Sequence, residues 1–202
     1  AMEAYALDWA QLVVRWVHLV TGIAWIGASF YFVFLDLSLL PPKAQADVDA
    51  GVGGELWAVH GGGFYHAQKY KVAPAVLPSP LHWFKWEAYW TWMSGFALLV
   101  LLYYVHAGLY LVDRSVADLA PWQAIAISLA FLVGGWLFYD QLCKRLGLHR
   151  EKAFALAMVA FFTLVSYALS HLFAGRALFI QVGAMMGTLM AWNVFFVIMP
   201  SQ

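Results

Sequence analysis

Five stretches of this chain are apolar for long enough to cross a hydrocarbon layer, and nothing else in the sequence constrains its fold as strongly. They fall at roughly 8–38, 88–112, 121–142, 153–174 and 177–199. Each reaches the ~20 residues that a helix rising about 1.5 Å per residue needs to span about 30 Å. In lipid a segment must satisfy its own backbone N–H and C=O groups, so such runs become helices. The sequence therefore predicts an all-α integral membrane protein, a single transmembrane helical domain over 1–202 built as a bundle of about five helices. Pro41-Pro42, Asp113-Arg114, Pro121, Gly175-Arg176 and Pro200 punctuate the helix ends. The one long connection, 39–87, is glycine-rich and exceeds a simple turn.

Composition excludes several functions. The chain is 64% hydrophobic and 11% charged with zero net charge, so it offers no basic field for nucleic acid. Its one cysteine, Cys143, rules out an internal disulfide, and without a C-x-x-C-H sequence the chain cannot attach a c-type haem covalently. The first apolar run lacks a basic leader and a small-residue cleavage pattern, so it reads as a retained helix. Lys43, Lys69, Lys71 and Lys85 follow the first span, and Lys144, Arg145, Arg150 and Lys152 follow the third, against only Arg114 and Arg176 on the other side. That bias predicts a cytoplasmic long loop and an N-terminus outside.

On this topology most of the histidines form two layers. His18, midway along the first span, and His106 and His171, near outer helix ends, lie in the outer half or near the middle of the bilayer. Facing imidazoles from separate helices hold a non-covalent haem b without bringing charge into lipid, so these three are candidate iron ligands. The alternative for each is a histidine bonded to a neighbouring helix carbonyl. Arg15, His18, Gly22 and Ser29 recur along one stripe, and Arg15, Arg114 and Arg176 are candidates to pair with haem propionates. Snorkelling to headgroups is the other reading of Arg15.

The inner layer lies in the stretch "GELWAVHGGGFYHAQKY", with His82 at the edge of the same loop. The glycines Gly61, Gly62 and Gly63 disfavour a regular helix, no clean strand alternation replaces it, and they would let backbone approach a ligand. His60 and His66 flank them, Glu55 and Lys69 add an acid and a cation, and Trp57, Phe64 and Tyr65 offer faces to a flat molecule. The catalytic candidates are His60, His66, Lys69 and Glu55; an interfacial aromatic segment is the alternative. In the last span Gly183 and Gly187 read as a close helix contact, with Gln181, Thr188 and Asn193 as polar packing.

The strings "RWVHLVTGIAWIGASFYFVFLD", "GVGGELWAVHGGGFYHAQKY", "LHWFKWEAYWTWMSGFALL" and "AWNVFFVIMP" resemble, essentially end to end, the membrane domain of the bacterial cytochrome-c-linked urate oxidase family. The resemblance implies an inner-membrane oxidoreductase of purine catabolism that oxidises urate to 5-hydroxyisourate. Electrons would leave through haem to a c-type cytochrome, fused or separate, since family members continue into a cytochrome module beyond the position of Gln202. The first helix is also similar to the His-bearing helix of small helical protoporphyrinogen oxidases, which favours His18 as a ligand. Other readings remain open: a haem-binding electron-transfer or assembly subunit without a substrate site, a small-molecule transporter, and assembly as a homo-oligomer.

Overall fold

The computed structural model describes residues 2–74, 76–147 and 150–202. It is mostly helical, and four of its helices are long and apolar enough to cross a membrane. In chain order the elements are α1 (Met2–Ser38), α2 (Gln45–Asp49), β1 (Val52–His60), β2 (Gly63–Tyr70), α3 (Trp86–Leu99), a π-helical stretch (Val100–Tyr104), α4 (Ala107–Tyr110), α5 (Pro121–Leu146), α6 (Glu151–Ser170), α7 (Gly175–Asn193), a second π stretch (Val194–Ile198) and α8 (Met199–Ser201). Two compact units result: residues 1–22 with 85–202, and residues 23–84.

In the helical unit, the ends are set by local chemistry. Pro121 occupies the first turn of α5, where its missing N–H costs nothing, and the Ala120 N–H is taken by Gln123 Oε1 at 2.9 Å. Lys144 and Arg145 lie in the last turn of α5, where cations complement the helix dipole, and Gly147 takes a φ of +57° just beyond it. The core runs through Leu99, Leu111, Leu132, Leu169, Phe173, Met185 and Leu189. Gly135 admits the Met185 thioether, for a Cβ at 135 would stand 2.9 Å from Sδ. Among the described residues nothing lies within 4 Å of a Cβ built at Gly183 or Gly187, so the close approach expected at that glycine pair occurs at Gly135 instead.

Buried polar groups tie the helices. Gln181 accepts from Ser128 Oγ at 2.6 Å and donates to the Ser128 carbonyl at 2.8 Å, Tyr104 Oη meets Ser128 Oγ at 2.7 Å, and Trp92 Nε1 donates to Thr188 Oγ1 at 3.1 Å. Where both sides of a segment are apolar, such bonds and dispersion fix which faces meet. Trp136 Nε1 is buried without an oxygen or nitrogen partner among the described residues. The Trp192 and Phe196 rings pack around it, 5.7 and 5.1 Å from the Trp136 ring.

The expected second span, 88–112, is not one helix. α3 passes into the π stretch, which turns Tyr103 into the core and Tyr104 towards Ser128, and the helix then breaks at His106 (φ −122°, ψ 47°) before the single turn of α4. The second unit departs further from an all-α reading: the glycine-rich loop holds an antiparallel hairpin, β1 against β2.

Candidate functional site

The hairpin follows from its turn. Gly61 and Gly62 have φ of +58° and +80°, the left-handed pair that a two-residue hairpin turn requires and that glycine adopts without a Cβ penalty. The strands pair His60 with Gly63, Val59 with Phe64, Ala58 with Tyr65, Trp57 with His66 and Glu55 with Gln68. Because side chains alternate, Glu55, Trp57, Val59, Phe64, His66 and Gln68 share one face. His60, Tyr65 and Lys69 lie on the other.

One carboxylate organises the first face. Glu55 is 7% exposed, and its backbone is locked to Leu40 by two hydrogen bonds of 2.9 and 2.8 Å. The Lys43 N–H donates to Oε1 at 3.1 Å, and His66 Nε2 meets Oε2 at 2.8 Å. Both carboxylate oxygens are thereby satisfied. The hydrogen bond from His66, then that from the Lys43 backbone, holds the Glu55 carboxyl below the ordinary glutamate range, outweighing its burial. Trp57 stacks on the His66 ring with centroids 4.2 Å apart and planes 9° from parallel. A carboxylate accepting at Nε2 leaves Nδ1 of a neutral imidazole as the proton acceptor, and no group among the described residues bonds it. The arrangement is an imidazole held between a carboxylate and an indole face.

Several sequence expectations change here. Two of the glycines form the hairpin turn, and Gly63 lies under the Tyr65 ring, a Cβ there meeting Cε2 at 3.2 Å. His60 and His66 do not face one another, being on opposite faces and three rungs apart. Lys69 is engaged with Asp36 at 2.7 Å, on the face opposite His66. Trp57 spends one ring face on His66, while Phe64 and Tyr65 are exposed at 78% and 57%.

In the helical unit, His18 is half-buried against α3, its Nδ1 3.0 Å from the Thr91 carbonyl and 3.2 Å from Ser94 Oγ. Gly22 lies at ordinary distance from Thr91, whereas a Cβ at Gly95 would come within 2.9 Å of His18 Cε1. The residue that clears space for the imidazole is therefore Gly95, on the facing helix. Arg15 and Ser29, from the same predicted stripe, are exposed. His106 comes eleven residues after Gly95, beyond the π stretch and at the break before α4. His106 and His171 lie at the same end of the unit, where the Ala174 N–H meets the Leu111 carbonyl at 3.3 Å. There His171 Nδ1 is held by the Tyr167 carbonyl at 2.9 Å, His106 packs edge-on to Tyr110, Arg176 lies 4.9 Å from the Tyr110 ring, and Arg114 stands 3.9 Å from Asp118. Among the described residues no group of three or more His, Cys, Asp or Glu side chains gathers to hold a metal ion. A cavity of about 660 Å³ lies in this unit, lined by Trp136, Tyr139, Asp140, Lys144, Asn193 and Phe196 among others.

Long apolar helices tied by buried polar bonds, with a two-stranded hairpin beside them in sequence, define a mostly helical protein whose helices are suited to a membrane. The chain matches the urate oxidase N-terminal family over residues 4–202 and belongs to that family, which brings with it a urate-related, oxidoreductase-type function. No curated protein and no solved structure matches the chain.

Proposed function

We propose that this chain is the membrane domain of an oxidoreductase of the bacterial inner membrane, oxidising urate to 5-hydroxyisourate and delivering the electrons through haem b to a c-type cytochrome. The observation that carries the proposal is the Glu55–His66 pair at 2.8 Å, in a chain of the urate oxidase N-terminal family. Urate and one water give 5-hydroxyisourate, two electrons and two protons, so the reaction needs a proton acceptor beside the purine. His66 Nδ1 takes that role; Glu55 fixes its tautomer and stabilises the imidazolium, and Trp57 holds the ring plane. The exposed ring of Phe64, two residues from His66 on the same face of the ribbon, receives the flat purine.

His18 would hold the iron of such a haem group. Its Nδ1 is turned to a carbonyl, the arrangement that leaves Nε2 for a metal, and Gly95 makes room for the ring. His171, similarly held by the Tyr167 carbonyl, fits a ligand at the other level, with Arg176 and Arg114, which follow the Ala174–Leu111 contact in their segments, to serve propionates. A haem held by these residues would supply one-electron acceptance and release.

A second reading, a haem-binding electron-transfer subunit with no substrate site of its own, is favoured by the exposure of Phe64, Tyr65 and His60 on the ribbon. Urate-dependent reduction of cytochrome c by membranes carrying the chain separates the two. The first reading predicts turnover that falls about 10²–10⁴-fold in His66→Ala, the range a positioned general base contributes. Absence of turnover in the wild type, or equal turnover in His66→Ala, removes it.

A further inference from the structure

We infer that Thr91, Ser94 and Gly95 are positioning residues for His18, together forming a seat on α3 that presents its Nε2 as a ligating nitrogen. The inference deepens the reading of His18 as a haem ligand and rests on it.

The Thr91 carbonyl can only accept, so its 3.0 Å contact assigns the imidazole proton to Nδ1 and the lone pair to Nε2. Ser94 Oγ lies 2.6 Å from the Trp90 carbonyl and directs its own proton there, which leaves an oxygen lone pair to share the Nδ1–H at 3.2 Å. Residue 94 is also among the buried polar positions, at 6% exposure, so water does not compete strongly for that bond. Gly95 completes the seat by absence: a Cβ would stand 2.9 Å from His18 Cε1 and 3.3 Å from Nδ1. Positions 91, 94 and 95 lie within one turn of a helix and so share a face.

A histidine that merely tied α1 to α3 would be complete with the Thr91 bond. Here a second acceptor and a cleared backbone also fix the rotation of the ring, while Nε2 has no hydrogen-bond partner among the described residues. Both acceptors on Nδ1 are uncharged. Partners of this kind set the basicity of a ligating histidine.

The test uses the full chain, with haem content measured by pyridine haemochrome, and the reduction potential and low-spin EPR g-values of the bound iron. Ser94→Ala is expected to weaken haem binding about tenfold, within the range for loss of such a partner. It should also raise the potential, because a less basic imidazole stabilises oxidised iron less. Ser94→Thr, which keeps the hydroxyl, should restore both values. Gly95→Val should lose the haem as His18→Ala does. If His18→Ala loses haem while Ser94→Ala and Gly95→Val keep wild-type affinity, potential and g-values, the seat is refuted and the ligand stands. If His18→Ala itself keeps haem with unchanged spectra, the ligand reading fails, and the seat with it.

Discussion

Replacing Gly62 by valine tests how the hairpin holds the site. Gly62 has a φ of +80°, and a Cβ there would meet nothing within 4 Å among the described residues, so the effect of the substitution is backbone strain. A non-glycine residue held in a sparsely populated φ/ψ region costs about 1–3 kcal/mol, and a β-branched one lies at the upper end. That corresponds to roughly 5–150-fold less of the closed ribbon relative to the open one. The register that stacks Trp57 on His66 and brings His66 to Glu55 is set from this turn, so all three residues should loosen together. Amide hydrogen exchange over 52–70 reads the change directly, with faster exchange expected across both strands in Gly62→Val. Gly61→Asn is the control: Asn tolerates the left-handed region, so protection should stay at or above the wild-type level. Unchanged protection in Gly62→Val would refute the claim that this turn dictates the register.

The Glu55 carboxyl, held low by His66 and the Lys43 N–H, contributes stability that is fully present above the ordinary glutamate range and lost as pH falls through its lowered value. Strand protection should therefore drop in acid for the wild type, and Glu55→Gln should abolish that pH dependence; hydrogen exchange across an acid series measures it. The Lys69–Asp36 pair is 57% and 53% exposed, so Lys69→Met should change hairpin stability by about 1 kcal/mol or less, checked by the same exchange, and leave turnover near wild type. Gly135→Val drives a side chain into Met185 and should destabilise the helical unit by about 1–3 kcal/mol, seen as a lower midpoint on thermal unfolding in detergent.

The long helices were legible because run length alone specifies them. α1, α5, α6 and α7 fall where unbroken apolar stretches do, and Pro121 marks the start of α5. The second span was not, because the break at His106 and the π stretch before it answer to tertiary demands, Tyr103 entering the core and Tyr104 reaching Ser128, which leave no mark on hydropathy. The hairpin had a readable signal, a Gly-Gly pair between two runs rich in aromatic and β-branched residues. Its alternation is obscured because both faces carry mixed residues: Val59 and Phe64 are exposed beside a buried Glu55. Residue types at the site were therefore legible while partnerships were not. Glu55 and His66 were both candidates on composition, yet only the register makes them a pair and sends His60 to the opposite face. Gly183 and Gly187 carried the expected close-contact spacing, but Gly135 and Gly95 take that part, since what matters is the side chain across the interface.

The central claim, urate oxidation at the His66 base with electrons passed to bound haem, is tested most directly by mixing the purified chain with urate under anaerobic conditions and recording the visible spectrum. The account predicts that the bands of reduced haem b appear in the wild type and are far slower to appear in His66→Ala, although dithionite reduces both proteins alike. Haem that dithionite reduces but urate does not, or equal rates in the two proteins, would contradict it.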